Sequence, residues 1–153
     1  MRLRAYRGQT SAGTKIAFVI RIADDGRMSM KELHLQVEMT CDDATTLDYG
    51  SVWWFGGVGP RLDGRRLTYD AVYGPEATHI TGVFRATTAD GTFKTIQAWL
   101  TDDEQAQLCS TGDLTWTANK VPLDRVAGRG AIRRADVTRQ VRAGSVRTVW
   151  SSG

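Results

Sequence analysis

Hydrophobic and polar positions alternate with a period of two through most of residues 4 to 120, the mark of strands with one buried face. The stretch from Leu108 to Lys120 shows it most plainly. After a turn at Thr111-Gly112, Leu114, Trp116 and Ala118 point one way and Thr115, Thr117 and Asn119 the other. Earlier in the chain the pattern predicts a strand over Arg4 to Gln9, broken at Ser11 to Thr14, and a second over Lys15 to Ala23. The second buries Ile16, Phe18, Ile20 and Ile22 while Ala17, Val19 and Arg21 face away. Asp24-Asp25-Gly26-Arg27 reads as a hairpin turn, because Asp-Gly supplies the positive φ such turns require. A third strand, Met28 to Cys41, places Leu33, Leu35, Val37, Met39 and Cys41 on the buried parity and His34, Gln36, Glu38 and Thr40 on the other.

The alternation continues over Tyr49 to Phe55, where the neighbours Trp53 and Trp54 must face opposite sides of a regular strand. Gly56 to Pro60 resets the chain. Arg65 to Tyr73 then aligns Leu67, Tyr69, Ala71 and Tyr73, and Thr78 to Thr87 turns Ile80 and Phe84 inward. Ala89-Asp90-Gly91-Thr92 is expected to be a hairpin turn and Phe93 to Leu100 the returning strand. Phe93 and Ile96 have opposite parity, so a bulge is expected between them. Asp102 to Gln107 is a polar connection with room for one helical turn. About eight strands separated by turn signals, with no alternation of strand and helix, predict an antiparallel β-sandwich or a closed β-barrel.

This β domain spans residues 1 to 122, and an arginine-rich C-terminal arm follows over 123 to 153. In the arm, Val137 and Val141 suit one helical face, while Gly144 and the β-branched residues favour a strand, so both conformations stay open. The charge is uneven. The chain of 153 residues carries +3 overall, but the seven arginines beyond residue 120 stand against Asp124 and Asp136, which puts the basic character in the arm. With 41% hydrophobic and 24% charged residues the composition is that of a globular domain. No apolar run approaches the roughly 18 residues of a spanning helix. Met1 to Arg7 has basic residues without a following apolar region and does not read as an intact signal peptide.

The two cysteines, Cys41 and Cys109, would close a loop of 68 residues if bonded; two buried free thiols are the alternative. An oxidising compartment follows only from the bond.

Several anchors fall in a recognisable order: Tyr6-Arg7-Gly8-Gln9-Thr10-Ser11-Ala12-Gly13, Thr40-Cys41, Ile80-Thr81-Gly82-Val83-Phe84, Thr88-Ala89-Asp90-Gly91-Thr92, and Cys109-Ser110-Thr111-Gly112-Asp113-Leu114-Thr115-Trp116-Thr117-Ala118. In this order residues 6 to 120 resemble a group of small, mostly uncharacterised secreted β-sandwich proteins of actinobacteria. The resemblance implies an antiparallel fold, pairing of Cys41 with Cys109 and an extracellular location. It carries no reaction. The arginine-rich arm lies outside the shared pattern, and Met1 as a native start would instead imply a cytoplasmic protein.

Candidate chemistry is sparse. His34 and His79 both sit on outward parity and read as surface residues, and no Ser or Cys nucleophile has a histidine beside it in sequence. The acidic pairs Asp24-Asp25, Asp42-Asp43 and Asp102-Asp103-Glu104 lack the spacing of a calcium loop and read as solvated turns. Gly56-Gly57-Val58-Gly59 is followed by Pro60 and a strand, where a phosphate cradle would need a helix. No metal or cofactor is expected. The aromatic residues Trp53, Trp54, Tyr69, Tyr73 and Trp99 are the candidate ligand-binding set, since flat rings on a sheet offer stacking surfaces. Arg133, Arg134, Arg139, Arg142 and Arg147 are the candidate polyanion or oligomer contacts, with nucleic acid the weaker of those uses.

The sequence thus points to a non-catalytic binding or interaction module that presents aromatic side chains on a β scaffold, with an unidentified ligand or protein partner and a homo-oligomer through the arm as options. A small β-barrel isomerase or cyclase with an aromatic cavity, using Tyr69, Asp70, Tyr73 or His79, is the enzymatic alternative. A self-assembling or virion structural protein is a third.

Overall fold

The computed structural model describes residues 1–56, 59–100, 104–126, 137–142 and 145–150, the last two ranges by backbone alone. Its strands are β1 (Arg2–Thr10), β2 (Lys15–Ile22), β3 (Met28–Cys41), β4 (Thr46–Trp54), β5 (Arg66–Tyr73), β6 (Glu76–Phe84), β7 (Thr88–Leu100), β8 (Ala106–Ser110), β9 (Leu114–Val121), β10 (Val137–Arg142) and β11 (Ser145–Trp150). β1 to β9 form one antiparallel sheet in the order β4-β3-β2-β1-β9-β7-β6-β5, and β8 pairs with both β3 and β7. Hydrogen bonding therefore closes a ring through β3, β2, β1, β9, β7 and β8, leaving β4 outside β3 and the β6–β5 pair outside β7. The ring is not a barrel. Its two faces press together in the manner of a sandwich, with rings from β1 and β2 meeting rings from β6 and β9: Phe18 lies 5.3 Å from Phe84 and 4.6 Å from Trp116, and Tyr6 lies 5.1 Å from Phe84.

Local chemistry explains the register. Gly13 and Gly26 take positive φ at the first two turns, as their sequences require. β3 is long enough to serve three partners because a bulge opposite Val19 and Ile20 absorbs one residue: Val19 pairs with Glu32 and Ile20 with Met30. That extra residue flips the parity, so Met28 and Met30 join Leu33, Leu35, Val37 and Met39 in one core. At the far end of β3, Cys41 stands opposite Cys109 of β8, and the two are disulfide-bonded with Cα atoms 3.8 Å apart. Cys109 is also the partner of Gln97 on β7. The bond thus fastens the shortest strand of the ring where it joins its two neighbours.

Two expectations about β6 and β7 are corrected. The turn between them lies at Arg85 to Thr88, where Arg85 N–H donates to the Thr88 carbonyl, and Ala89 to Thr92 are already strand. Gly91 is needed for close approach rather than for a turn: a Cβ there would fall 1.8 Å from the Thr81 carbonyl oxygen. Its cross-strand partner Gly82 leaves room for the Trp116 indole, which a Cβ would meet at 2.6 Å. The expected bulge between Phe93 and Ile96 is absent, because the β6–β7 register runs unbroken from Ala77–Ile96 to Phe84–Ala89. Phe93, Thr95, Gln97 and Trp99 share the inner parity, and Ile96 faces out.

The outer face of β1 and β2 is also covered. Ala5, Ala17 and Val19 form a second apolar cluster with Val126, which follows a single 3-10 turn at Leu123–Arg125. His34, expected at the surface, pairs with Ala17 at this patch and is only 2% exposed. In the arm, the backbones of β10 and β11 pair as an antiparallel hairpin, which favours the strand alternative. Asp102 and Asp103 lie outside the described residues, and the chain is already strand at Ala106.

Candidate functional site

The candidate aromatics divide between three places. Trp53, at the end of β4, turns inward; its indole N–H donates to Ser51 Oγ at 2.7 Å, and its ring stands edge-on to Tyr69 at 6.5 Å. Phe55 meets the same Tyr69 at 5.6 Å. β4 and β5 are the two ends of the hydrogen-bond order, so here the sheet's edges are joined by side chains instead of backbone. Edge-to-face packing of this kind adds about 0.5–1.5 kcal/mol per pair beyond the area buried. Trp54 takes the opposite face of β4 and remains 51% exposed, as the neighbour rule requires.

Tyr73 ends β5 at a two-residue Gly74-Pro75 hairpin, with Gly74 at positive φ, and is 77% exposed beside Val72. Along the inner parity of β5 the exposure rises from buried Leu67 through half-buried Tyr69 and Ala71 to Tyr73. The hairpin therefore projects past the facing strands. Trp99 is elsewhere: it is buried, lies edge-on to Tyr49 at 6.0 Å, and its indole N–H has no hydrogen-bond partner. It contributes to the core and presents no surface.

The interior also holds polar residues that the periodicity did not single out. Thr78 and Thr95 are buried on facing strands with hydroxyls 2.8 Å apart, and Gln97 donates to Thr95 Oγ1 at 2.6 Å. Glu76 is buried on the same parity of β6. The signal was present in the Phe93–Ile96 conflict: a regular strand from Phe93 necessarily sends Thr95 and Gln97 inward. Mutual hydrogen bonding makes their burial tolerable.

The two histidines are placed differently. His34 shares a hydrogen bond with Glu32 at 2.9 Å, and its Nδ1 is buried without a partner. His79 is exposed on the outer face of β6, and its Nδ1 is hydrogen-bonded to Asp70 of β5 directly across the ladder. Asp70 and His79 are thus brought together, while Tyr69 and Tyr73 lie on the other face of β5. No protein family model, curated protein or solved structure matches this chain.

The acidic turns have local structural roles. Asp24 pairs with the N-terminal ammonium, Asp25 with Arg27, and Asp42 accepts the Leu108 N–H. Asp43 accepts both the hydroxyl and the N–H of Thr45, and the hydroxyl bond chiefly holds its carboxyl below the usual 3.8. Among the described residues no group of three or more His, Cys, Asp or Glu is placed to hold a metal ion. Of the arm's candidate arginines, Arg139, Arg142 and Arg147 fall on the backbone of the β10–β11 hairpin, and Arg133 and Arg134 lie outside the described residues.

Proposed function

We propose that this protein is a non-catalytic binding or interaction module that recognises its partner with aromatic side chains at the β4–β5 end of the sandwich. The observation that carries this reading is the half-exposed indole of Trp54, fixed to a strand whose inner neighbour Trp53 stands edge-on to Tyr69, which Phe55 also meets. An aromatic presented by a rigid element contributes contact area with little ordering cost. The rings of Phe18, Phe84, Trp116 and Tyr6 occupy the space between the two faces, which supports surface recognition over the aromatic cavity of a small barrel enzyme. The disulfide suits the extracellular location that the resemblance implies.

Panning a random peptide display library against the full chain tests the reading. Selected peptides should shift the amide signals of Trp54 and Tyr73 and bind at least about tenfold more weakly to Trp54→Ala, the loss expected of a buried aromatic anchor. Peptides indifferent to Trp54→Ala and Tyr73→Ala would refute it.

A further inference from the structure

The outer face of β5, β6, β7 and β9 is built from polar rows that the aromatic reading does not use. Thr68, Thr81, Thr92 and Thr115 are successive cross-strand partners and are all exposed, which makes one row of hydroxyls across four strands. The adjacent row runs Asp70, His79 and Lys94, and Lys94 lies 3.7 Å from Asp113 at the start of the β9 hairpin. His79, Lys94, Asp113, Thr92 and Thr115 line a depression of about 470 Å³, with Leu114 and Phe93 also in its wall. That size is within the range of small-molecule sites.

The chemistry selects the ligand class. Asp113 stands against Lys94, and Asp70 is hydrogen-bonded to His79, so the depression gathers no cluster of like charge for a phosphate or a polyanion. It does offer an ammonium donor beside a carboxylate acceptor, flanked by hydroxyls that both donate and accept. Two adjacent sugar hydroxyls match that pair, each donating to the carboxylate or accepting from the ammonium. Asp70, hydrogen-bonded to Nδ1, leaves His79 Nε2 available for a third polar contact. We propose that this face binds a neutral saccharide through a vicinal diol held between Lys94 and Asp113, with His79 and the threonine row orienting the ring.

The full chain, labelled and applied to an array of neutral and acidic oligosaccharides, tests this. At least one neutral glycan should be retained, with affinity about tenfold or more weaker in Lys94→Ala and in Asp113→Asn, the loss typical of a charge-assisted hydrogen bond. Thr92→Val, which keeps the shape and removes a hydroxyl, should weaken it less. Trp54→Ala should bind as the parent does, which separates this site from the aromatic end. Raising the salt should change little, since a neutral glycan carries no charge to be screened. Unchanged melting curves will show that the exposed substitutions leave the fold intact. No retained neutral glycan, retention indifferent to both Lys94→Ala and Asp113→Asn, or retention of sulfated or uronic glycans alone with loss in salt would each overturn the proposal.

Discussion

Removing the disulfide with Cys41→Ala and Cys109→Ala should expose how the ring is closed. The bond spans 68 residues, and constraining a loop of that length in the unfolded chain stabilises the native state by roughly 4 kcal/mol. The sulfurs are buried in the main core cluster, so the substitution adds a small packing loss to the same sign. With a urea dependence of about 1–3 kcal/mol per molar for a domain of this size, the unfolding midpoint should fall by about 2 M. The structure also locates the damage. β8 is five residues long and is held to the end of β3 by the Thr40–Ser110 and Cys41–Cys109 pairs and by hydrogen bonds between Leu108 and Asp42, the residue after Cys41. Hydrogen exchange should therefore accelerate first at β8 and the end of β3, ahead of β1, β2 and β9. A double variant within about 1 kcal/mol of the parent, the size of an ordinary surface substitution, or exchange that accelerates evenly over all strands, would refute the reasoning.

Other outcomes follow from single contacts. Trp116→Ala should cost about 3–5 kcal/mol by denaturant unfolding, because the indole is fully buried against Phe18 and Phe84 and its N–H donates to the Thr92 carbonyl. Gly91→Ala should abolish soluble folded protein, since the added carbon would collide with the Thr81 carbonyl in the paired strand; a normal melting curve would contradict the close approach. Val126→Asp should destabilise by several kcal/mol, the order expected for an unpaired charge placed on an apolar cluster, and Leu123→Asp, half exposed beside it, should be nearly neutral. Asp43 should titrate below 3.8 by carbon-detected NMR. Since its folded value is depressed, its small contribution to stability is present above the unfolded value and fades as pH falls through the folded one; Thr45→Val, which removes the hydroxyl and keeps the N–H bond, should move the titration up toward the usual range.

Much of the fold was legible because the inner face is apolar at nearly every second position. β3 is recovered end to end, the opposed directions of Trp53 and Trp54 come from strand geometry alone, and of the two alternatives left open for Cys41 and Cys109, a bond or two buried free thiols, the structure shows the bond that the resemblance implies. What escaped was non-local. His34 is buried because the patch at its partner Ala17 is covered from beyond β9, which no alternation within β3 can reveal. Asp90-Gly91 carries a turn composition, yet its glycine answers to the backbone of β6, and the true turn at Arg85 to Thr88 has no glycine. β8 lay hidden in a polar stretch because pairing with two strands ends, rather than an apolar face, makes it a strand. The residues proposed for binding divide in the same way: Trp54 was marked by its neighbour, whereas the Lys94–Asp113 pair forms only when β7 and β9 come together.

A filled interior is what turns the proposed recognition to the surfaces, and xenon tests that filling most directly. Crystals of the full chain under xenon pressure should show no gas atom among Tyr6, Phe18, Phe84 and Trp116, where rings meet at 4.6 to 5.7 Å. Xenon bound between those rings would reveal an apolar cavity large enough for a small molecule and would contradict the account.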